Sequence, residues 1–433
     1  MVRPAHRAAF LLLAALALPA RAEKVRLELL TSGLGGMVHR DWAGGADVVA
    51  GLKVSAFRLA LAAPLRFDRQ GLRRQDWDEP GDFGRILAVA SWGAEGEHVF
   101  ARAGNLPDVT LGAGTLVSHF ASTADPDHWR SGVMLSVAYD PAGGDVFLDS
   151  FIAPAVLGGR AYLRPLQPVL PQSFAGRIEL GATFVGDMSA PHAWRRGQDG
   201  TVATVRGGLP DATRTRVLAG GGDLRWPVVK TASVEVAPWA AIDNLEGGRG
   251  YHVGLAVNAS PGARVRFGLE GAWRRSSAGY VSPWFDGTYE VDRFDAGGRA
   301  AAPKAAVREG FRGGRDGLTV GVFLAWATAV SWWVRLDLDR DGRANCLRSG
   351  IAAAFWRMRL GATFHERGFQ SARDVPRPDR AAFGASAEVA ILPTLAWFAA
   401  YARDSAVAAT GPGRGRYRPS DTALTGLRWA GGM

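Results

Sequence analysis

Two pieces of sequence decide the fold: SWWVRLDLD at residues 331–339 and WRMRLGATF at residues 356–364. In the first piece, polar residues such as Arg335, Asp337 and Asp339 alternate with apolar ones, and the second piece repeats the pattern. Side chains on a strand point to opposite faces with period two. Each piece is therefore predicted to be a strand that separates an apolar environment from a wet one. The apolar environment is either a protein core or lipid.

The N-terminus indicates export. Residues 1–22 combine Arg3 and Arg7, an apolar run from Ala8 to Leu18, and a small-residue end at 20–22. A basic start, a short apolar run and a small-x-small end are typical of a secretory signal peptide, and the run is too short to span a bilayer as a helix. We therefore predict a signal peptide at 1–22 and a single mature domain at 23–433.

Composition restricts the class of protein. The predicted signal peptide contains three arginines and no acids, so its removal lowers the formal charge from +10 to +7. This excess is spread along the chain and argues against a nucleic-acid partner. The one cysteine, Cys346, excludes a disulfide framework and a thiolate metal cluster. The mature chain contains no apolar run long enough to be a spanning helix.

Candidate strands recur along the mature chain with turn signals between them. They include 263–275, 317–326, 345–354 and a segment at 110–119. In the C-terminal half, short connections alternate with long polar ones, which is the asymmetry of outer-membrane barrels. In the N-terminal half the predicted strands do not alternate consistently in direction, as a closed antiparallel barrel requires. One element there is therefore expected to be misassigned or extra.

The alternation divides the residues of the predicted strands between two faces. The polar face is predicted to comprise Arg160, Arg164, Arg177, Glu179, Glu235, Arg264, Arg266, Glu270, Arg274, Arg335, Arg357, Arg359, Glu388 and Arg428. The apolar face is predicted to comprise Ile178, Leu180, Phe184, Val265, Phe267, Leu269, Trp273, Trp332, Val334, Leu336, Trp356, Met358, Leu360 and Phe364.

Over 23–433 the chain resembles Gram-negative outer-membrane β-barrels of the porin-like kind. The closest local likeness is Thr422 to Trp429, which is similar to the family's closing strand, although Ala-Gly-Gly-Met follows the aromatic residue. Lipid satisfies no backbone hydrogen bonds, so a spanning sheet must close on itself. We therefore predict an all-β fold, a single closed antiparallel transmembrane barrel of roughly 16 to 18 strands with long outer loops and short periplasmic turns.

The resemblance implies a location in the outer membrane, in contact with lipid and lipopolysaccharide. The polar face would then line the lumen, the apolar face would meet lipid, and the protein would form a channel for small hydrophilic solutes. The arginine excess on the polar face predicts a mild preference for anions, because rings of fixed charge set a pore's selectivity. The alternative is a non-conducting barrel that acts as a receptor, an anchor or an envelope-assembly partner. The sequence leaves the oligomeric state open.

Residues 276–316 form the longest predicted connection. They either stay outside as an exposed loop or fold inward and constrict the pore, as long loops in porins can. An enzyme is not predicted: the neighbouring Ser118 and His119 would face opposite sides of a strand, and no G-x-S-x-G motif occurs. A lipid-modifying barrel enzyme is the least favoured alternative.

One hairpin has a second interpretation. Asp337, Asp339 and Asp341 precede Gly342 with the spacing of the first half of a calcium loop, but Arg348 stands where an EF-hand has its bidentate glutamate. Asp-Gly is also a common hairpin turn signal. We therefore expect a turn and no cofactor, with calcium as the alternative.

Overall fold

The computed structural model describes residues 25–38, 41–122, 129–198, 202–204, 210–294, 303–308, 314–340, 345–369, 371, 375, 381–407 and 417–432. The predicted signal peptide and Asp341 lie outside these ranges.

Strands dominate the described residues. In chain order they are β1 (Arg26–Val38), β2 (Asp41–Val54), β3 (Phe57–Asp68), β4 (Gly71–Leu72), β5 (Leu87–Trp92), β6 (Val99–Gly104), β7 (Val117–Ser118), β8 (Gly132–Ala138), β9 (Ala142–Leu148), β10 (Val156–Leu163), β11 (Glu179–Trp194), β12 (Ala212–Arg225), β13 (Val229–Lys230), β14 (Val234–Leu245), β15 (Gly248–Ala259), β16 (Val265–Ser276), β17 (Phe285–Asp286), β18 (Arg315–Trp326), β19 (Val330–Asp339), β20 (Cys346–Phe355), β21 (Met358–Arg367), β22 (Ala381–Leu392), β23 (Leu395–Val407) and β24 (Tyr417–Gly432). Short helices cover Arg74–Asp76, Pro80–Ile86, Ala175–Arg177, Tyr289–Asp292 and Lys304–Arg308. Across the described part of the chain, no helix is both long and apolar enough to cross a membrane.

The long strands form one closed wall. Each pairs antiparallel with its neighbours in sequence, and β24 pairs with β1 from Glu28↔Gly432 to Met37↔Ala423. The two-residue strands β4 and β13 extend the edges of β3 and β14, whereas β7 and β17 pair only with each other. The predicted all-β closed antiparallel barrel is confirmed, but it has 20 strands and not the predicted 16 to 18.

One predicted strand was wrong and one real strand was missed. Residues 110–119 are not part of the barrel wall, although the two residues of β7 lie within them. β1 is the missed strand, and it contains Gly33, Gly35 and Gly36, which interrupt the apolar–polar alternation. Exchanging these two segments leaves the number of strands unchanged and supplies β1, the strand that pairs with β24 and closes the barrel.

The connections differ between the two ends of the barrel. At one end, which we call the turn rim, most connections are tight, such as Ser55–Ala56 between β2 and β3, and 356–357 between β20 and β21. At the other end, the loop rim, the connections include 69–86, 105–131 and 277–314. The predicted alternation of short and long connections is therefore present. Residues 164–178, between β10 and β11, are the long exception on the turn rim.

The strand registers define two faces consistently around the wall. Residues that pair directly across neighbouring strands lie on the same face. Starting from Arg160, which pairs with Asp145 on one side and Thr183 on the other, the registers return to Arg160 on the same face after one circuit. We call the face that carries Arg160 the inner face, for the reason given below, and the opposite one the outer face.

Candidate functional site

Segments from the loop rim fold into the barrel. Residues 69–86 reach the inner face, where Asp76 lies 3.5 Å from Arg66 of β3, and two other segments form one joint body. Segment A is 105–122, and segment B comprises 277–294 with 303–308. Segment B contacts β11 and β14, because Tyr289 donates a hydrogen bond to Asp187 and Tyr280 donates one to Asp243, both at 2.9 Å. Segment A contacts β20, where Arg348 donates to the Ser118 carbonyl oxygen at 3.3 Å. The segments also pair with each other through β7 and β17. A connected body that touches strands so far apart on the wall lies in the interior, so the face that it touches is the inner one.

An apolar core joins the two segments to one part of the wall. Phe120 and Phe285 are fully buried, and Phe147 of β9 and Leu245 of β14 pack into the same cluster from the inner face. The other members from the wall are Val156, Val185, Ala190, Val217 and Ala219. We call the inner face of β9 to β16 the covered wall. The apolar residues of the covered wall pack against segments A and B, although they are of the same types as the apolar residues on the outer face.

A buried ionic network holds segment B to the covered wall. Asp187 of β11 is fully buried and accepts hydrogen bonds from Tyr289 and from Arg293, the latter at 3.1 Å. Glu290 lies 3.2 Å from the guanidinium group of Arg130 and 3.3 Å from that of Arg293. Burial raises the pKa of Glu290, and the two arginines partly offset this. Burial also raises the pKa of Tyr289 well above its ordinary value, so this phenol is a proton donor at neutral pH.

Further contacts fix Tyr280 of segment B to the wall and join the two parts of the segment to each other. The Tyr280 hydroxyl group lies 2.9 Å from Nε2 of His252, and the Tyr280 carbonyl oxygen accepts a hydrogen bond from Arg315 at 2.5 Å. Lys304 donates to the Trp284 carbonyl oxygen at 2.6 Å, and its ammonium group lies 4.9 Å from the centre of the Trp284 ring. Burial lowers the pKa of Lys304. Hydrogen bonding and the ring's negative face compensate in part for the buried charge.

The inner face carries most of the predicted polar set. By register, the inner positions are Arg160, Glu179, Glu235, Arg266, Glu270, Arg274, Arg335, Arg359, Glu388 and Arg428. Arg164 follows β10 and donates to Glu179 at 3.0 Å, so it belongs with them. The remaining three lie in turn-rim connections outside the strands: Arg177 in a short helix, Arg264 directly before β16, and Arg357 directly before β21.

The predicted apolar set lies mainly on the outer face. Leu180, Phe184, Val265, Phe267, Leu269, Trp273, Trp332, Val334, Leu336, Met358, Leu360 and Phe364 occupy outer positions by register. Ile178 directly precedes β11, and Trp356 lies in a tight turn with φ of 53°. Many outer side chains are exposed, with Trp326 at 66% and Ile242 at 60%. Exposed large apolar residues are therefore a property of the whole outer face.

Arginines surround the carboxylates that were considered for calcium. Asp337 is fully buried and lies 3.2 Å from Arg348 and 3.5 Å from Arg335. Asp339 lies 3.2 Å from Arg315. Guanidinium groups occupy the space that a cation would need. Within the described ranges, no group of three or more His, Cys, Asp and Glu side chains is arranged to hold a metal ion.

Segment A ends against an aromatic residue of the wall. The His119 ring stacks on Trp333 of β19, with ring centroids 5.8 Å apart, and its Nδ1 atom lies 3.0 Å from both carboxylate oxygens of Asp108. Trp333 lies flat across Gly350, where an added Cβ would come within 2.5 Å of the indole nitrogen. Ser118, considered above as a nucleophile, is fully buried. It therefore does not form an exposed pair with His119.

Beyond Trp333 the inner face is exposed. A cavity of about 400 Å³ lies there, and its lining includes small and hydroxyl residues at inner positions: Ser331, Gly350, Ala352, Gly361, Thr363, Gly384 and Ser386. Ala352, Thr363, Ser386 and Ala400 are exposed. We call the turn-rim part of the inner face of β20 to β23 the open wall; nearer the loop rim, Arg348 of β20 is buried against segment A. Segments A and B thus occupy one side of the interior, and the open wall borders space on the other side.

Sequence reasoning missed segment A and the covered wall. Leu111, Leu116 and Val117 imitate a strand pattern, and Phe147 or Leu245 cannot be distinguished by residue type from lipid-facing residues. Two signals in the sequence were available. The predicted N-terminal strands did not alternate consistently in direction, and two glycines interrupt the predicted strand: Gly112 and Gly114, which adopt φ of +57° and +71°. Such positive φ values break a regular strand. The described residues of segment B fold inward, which was one of the two alternatives for residues 276–316.

Comparisons with known proteins find solved structures that are similar to this chain at low identity. No family model matches the chain, and no curated protein matches it. Among solved structures, it is similar to OccAB2 of Acinetobacter baumannii (11% identity, 95% of this chain and 98% of that chain, TM-score 0.33). It is also similar to OpdL of Pseudomonas aeruginosa (9% identity, 96% and 100%, TM-score 0.34). A third is the outer membrane protein OprD of Pseudomonas aeruginosa (8% identity, 96% of each chain, TM-score 0.35).

Proposed function

We propose that this chain is an outer-membrane channel for small hydrophilic solutes. The observation that carries the proposal is the division of a closed wall into two faces. The inner face holds the ionic residues and borders open space, while the outer face presents large exposed apolar side chains around the barrel. A closed sheet leaves no unpaired edge, so it satisfies the backbone in lipid. The outer face is then lipid-facing and the inner face lines the lumen.

The same proposal assigns an orientation. The turn rim faces the periplasm and the loop rim faces outward, because bacterial barrels have short periplasmic turns and longer outer loops. Residues 1–22 act as the signal peptide for export to a Gram-negative outer membrane, where lipid and lipopolysaccharide surround the barrel. The chain acts as a passive or selective channel and not as an enzyme, and it uses no cofactor.

Charge counts along the solute path support a mild preference for anions. On the open wall, Glu388 is shared by Arg359 at 3.3 Å and Arg428 at 2.5 Å, so two guanidinium groups face one carboxylate. Two arginines and one carboxylate give this group a formal charge of +1. Fixed charge of one sign favours permeation of the other.

Liposome swelling tests the channel. Proteoliposomes are placed in isotonic solutions of a small neutral sugar, a small organic anion, a small organic cation and a large polymer. The proposal expects swelling with the small solutes, fastest with the anion at equal size, and none with the polymer. Liposomes without protein give the background. An absence of swelling with every small solute would contradict the channel, and faster entry of the cation would contradict the anion preference.

A second candidate function has its own support in the interior. Segments A and B fill one side of the barrel with a buried core, and a more complete closure would give a non-conducting barrel that serves as a receptor, an anchor or an assembly partner. The two candidates differ in one observable: the second expects background swelling with all solutes even when gel mobility shows a folded barrel. The cavity along the open wall favours the channel.

A further inference from the structure

The long connection on the turn rim has an unusual composition and exposure. Residues 164–178 join β10 to β11 at the rim where most connections are tight. Between Arg164 and Arg177 the sequence PLQPVLPQSFAG contains no charged residue. Its large apolar side chains are exposed: Leu166, Val169 at 73%, Leu170 and Phe174 at 58%. Such a cluster is costly in water, and contiguous exposed apolar patches mark interaction surfaces.

The loop is folded and does not hang freely from the strands. The Leu170 amide donates to the Leu166 carbonyl oxygen at 2.8 Å, and the Ser173 amide donates to the Leu170 carbonyl oxygen at 3.1 Å. Three prolines, Pro165, Pro168 and Pro171, contribute no backbone donor. The segment therefore presents apolar side chains while reducing the number of N–H groups that need a partner.

The loop lies on the outer side of the barrel. The Phe174 ring stacks on Trp226, with centroids 5.7 Å apart, and the Trp226 indole nitrogen donates to the Phe174 carbonyl oxygen at 3.0 Å. Trp226 directly follows β12 and continues its outer parity. The exposed outer residues Leu163, Leu180 and Leu224 stand at the turn-rim ends of β10, β11 and β12. The apolar loop thus continues the outer face beyond the ends of the strands.

We propose that residues 164–178 are an interfacial anchor that lies in the headgroup region of the periplasmic leaflet, with Leu166, Val169, Leu170 and Phe174 directed into lipid. This rests on the proposed function, which makes the outer face lipid-facing. A lipid surface is the partner that fits, because the patch is uncharged and continuous with the lipid-facing strands. The patch also includes Trp226, which stacks on Phe174, and tryptophan is enriched at membrane interfaces. Interfacial amphipathic helices bury their apolar face about 5–10 Å into the headgroup and acyl boundary, and we expect a comparable depth for this loop.

Site-specific fluorescence quenching tests the anchor. Starting from Cys346→Ala, which removes the one cysteine, single cysteines are introduced as Phe174→Cys, Val169→Cys, Leu180→Cys and Glu95→Cys and labelled with an environment-sensitive fluorophore. The proteins are reconstituted in liposomes with and without lipids brominated near the top of the acyl chain. Leu180 samples the lipid-facing strands, and Glu95 is an exposed charged residue in another turn-rim connection. Heat-modifiable gel mobility confirms that each variant is folded.

The anchor predicts a loss of fluorescence at positions 174 and 169 comparable with that at 180, and none at 95. Quenching at 180 but not at 174 or 169 would overturn the anchor and leave the proposed barrel orientation intact; the loop would then face water or a periplasmic protein. No quenching at 180 would instead show that the outer face does not meet lipid. Val169→Cys keeps Phe174, so its result does not depend on loss of the Phe174–Trp226 stack. Val169 is also the more exposed of the two labelled loop positions.

Discussion

The covered wall and the open wall belong to one sheet, yet their inner faces differ. On the covered wall, large apolar residues and buried ion pairs such as Asp187–Arg293 are enclosed by segments A and B. On the open wall, Ala352, Thr363 and Ser386 are small and exposed. The barrel therefore uses one side of its interior as the core of a folded insert, while another side borders open space. Substitutions on the two walls should have opposite consequences.

The largest effect is expected where a buried charge loses its partner. Asp187→Ala leaves the buried Arg293 with Glu290 alone and removes the acceptor of the Tyr289 hydroxyl group. Removing one member of a buried ion pair costs about 3–5 kcal/mol. Segment B should detach, and the channel should become more conductive and more sensitive to protease from the loop-rim side. Single-channel recording and limited proteolysis measure both. In the control, Asp187→Leu with Arg293→Leu, both charges are absent and the insert should remain largely in place. Equal damage in the single and double variants would contradict this role of the ion pair.

The next effect concerns the apolar core. Phe120→Ala empties a fully buried site, and truncating a buried Phe costs about 3–5 kcal/mol. The matched substitution Phe184→Ala removes an outer side chain, which loses contact with lipid but leaves no cavity, so it should cost less. Unfolding in urea from lipid vesicles compares the two. A larger loss for Phe184→Ala would show that the insert contributes little to stability.

On the open wall, a larger side chain should block the solute path without destabilising the barrel. Ser386→Trp places an indole at an exposed inner position, and we expect conductance to fall by about half or more because it narrows the path. Its neighbour Ala387 has outer parity, so Ala387→Trp should leave conductance unchanged. Equal conductance in the two variants would place the path elsewhere.

A smaller effect is expected from charge on the open wall. Arg359 has a side chain that is 77% exposed and shares Glu388 with Arg428. Arg359→Gln should shift the reversal potential in a salt gradient toward less anion preference, whereas Glu388→Gln should shift it the other way. Measurements at low salt maximise the difference, because screening weakens exposed charges. Shifts of the same sign in the two variants would contradict the charge argument.

The smallest effect is the pH dependence of segment B. Burial raises the pKa of Tyr280 and of Tyr289 above the ordinary 10.0, so their contribution to stability is present below pH 10 and is lost as the pH rises through the raised values. Burial lowers the pKa of Lys304 below 10.5, so its contribution improves with rising pH up to about that value. Protection from protease should therefore be retained up to pH 10 and decrease above it. Tyr280→Phe with Tyr289→Phe should remove most of this alkaline loss.

The sequence predicted the wall better than the interior. Alternation such as that of 331–339 identifies a strand because it depends only on residues next to each other in sequence. The pairing register then assigns each residue of the neighbouring strands to the same two faces around the whole barrel. β1 was missed because its glycines carry no side-chain signal, and 110–119 was misassigned because Leu111, Leu116 and Val117 face a core that the alternation cannot distinguish from lipid.

The inward fold of segment B depends on contacts remote in sequence. Tyr289 meets Asp187 and Tyr280 meets Asp243, and no local pattern reports such contacts. Arg177, Arg264 and Arg357 were placed on strands because arginine is compatible with both a strand and a turn-rim connection. Ten other members of the predicted polar set lie at inner positions by register, because charges at alternate positions of a strand share one face.

The most direct test of the central claim is the current carried by the purified protein in a planar lipid bilayer under a salt gradient. A path along the open wall predicts stepwise insertion of steady conducting units with a reversal potential on the anion-selective side. A folded barrel that inserts without any current would contradict the channel.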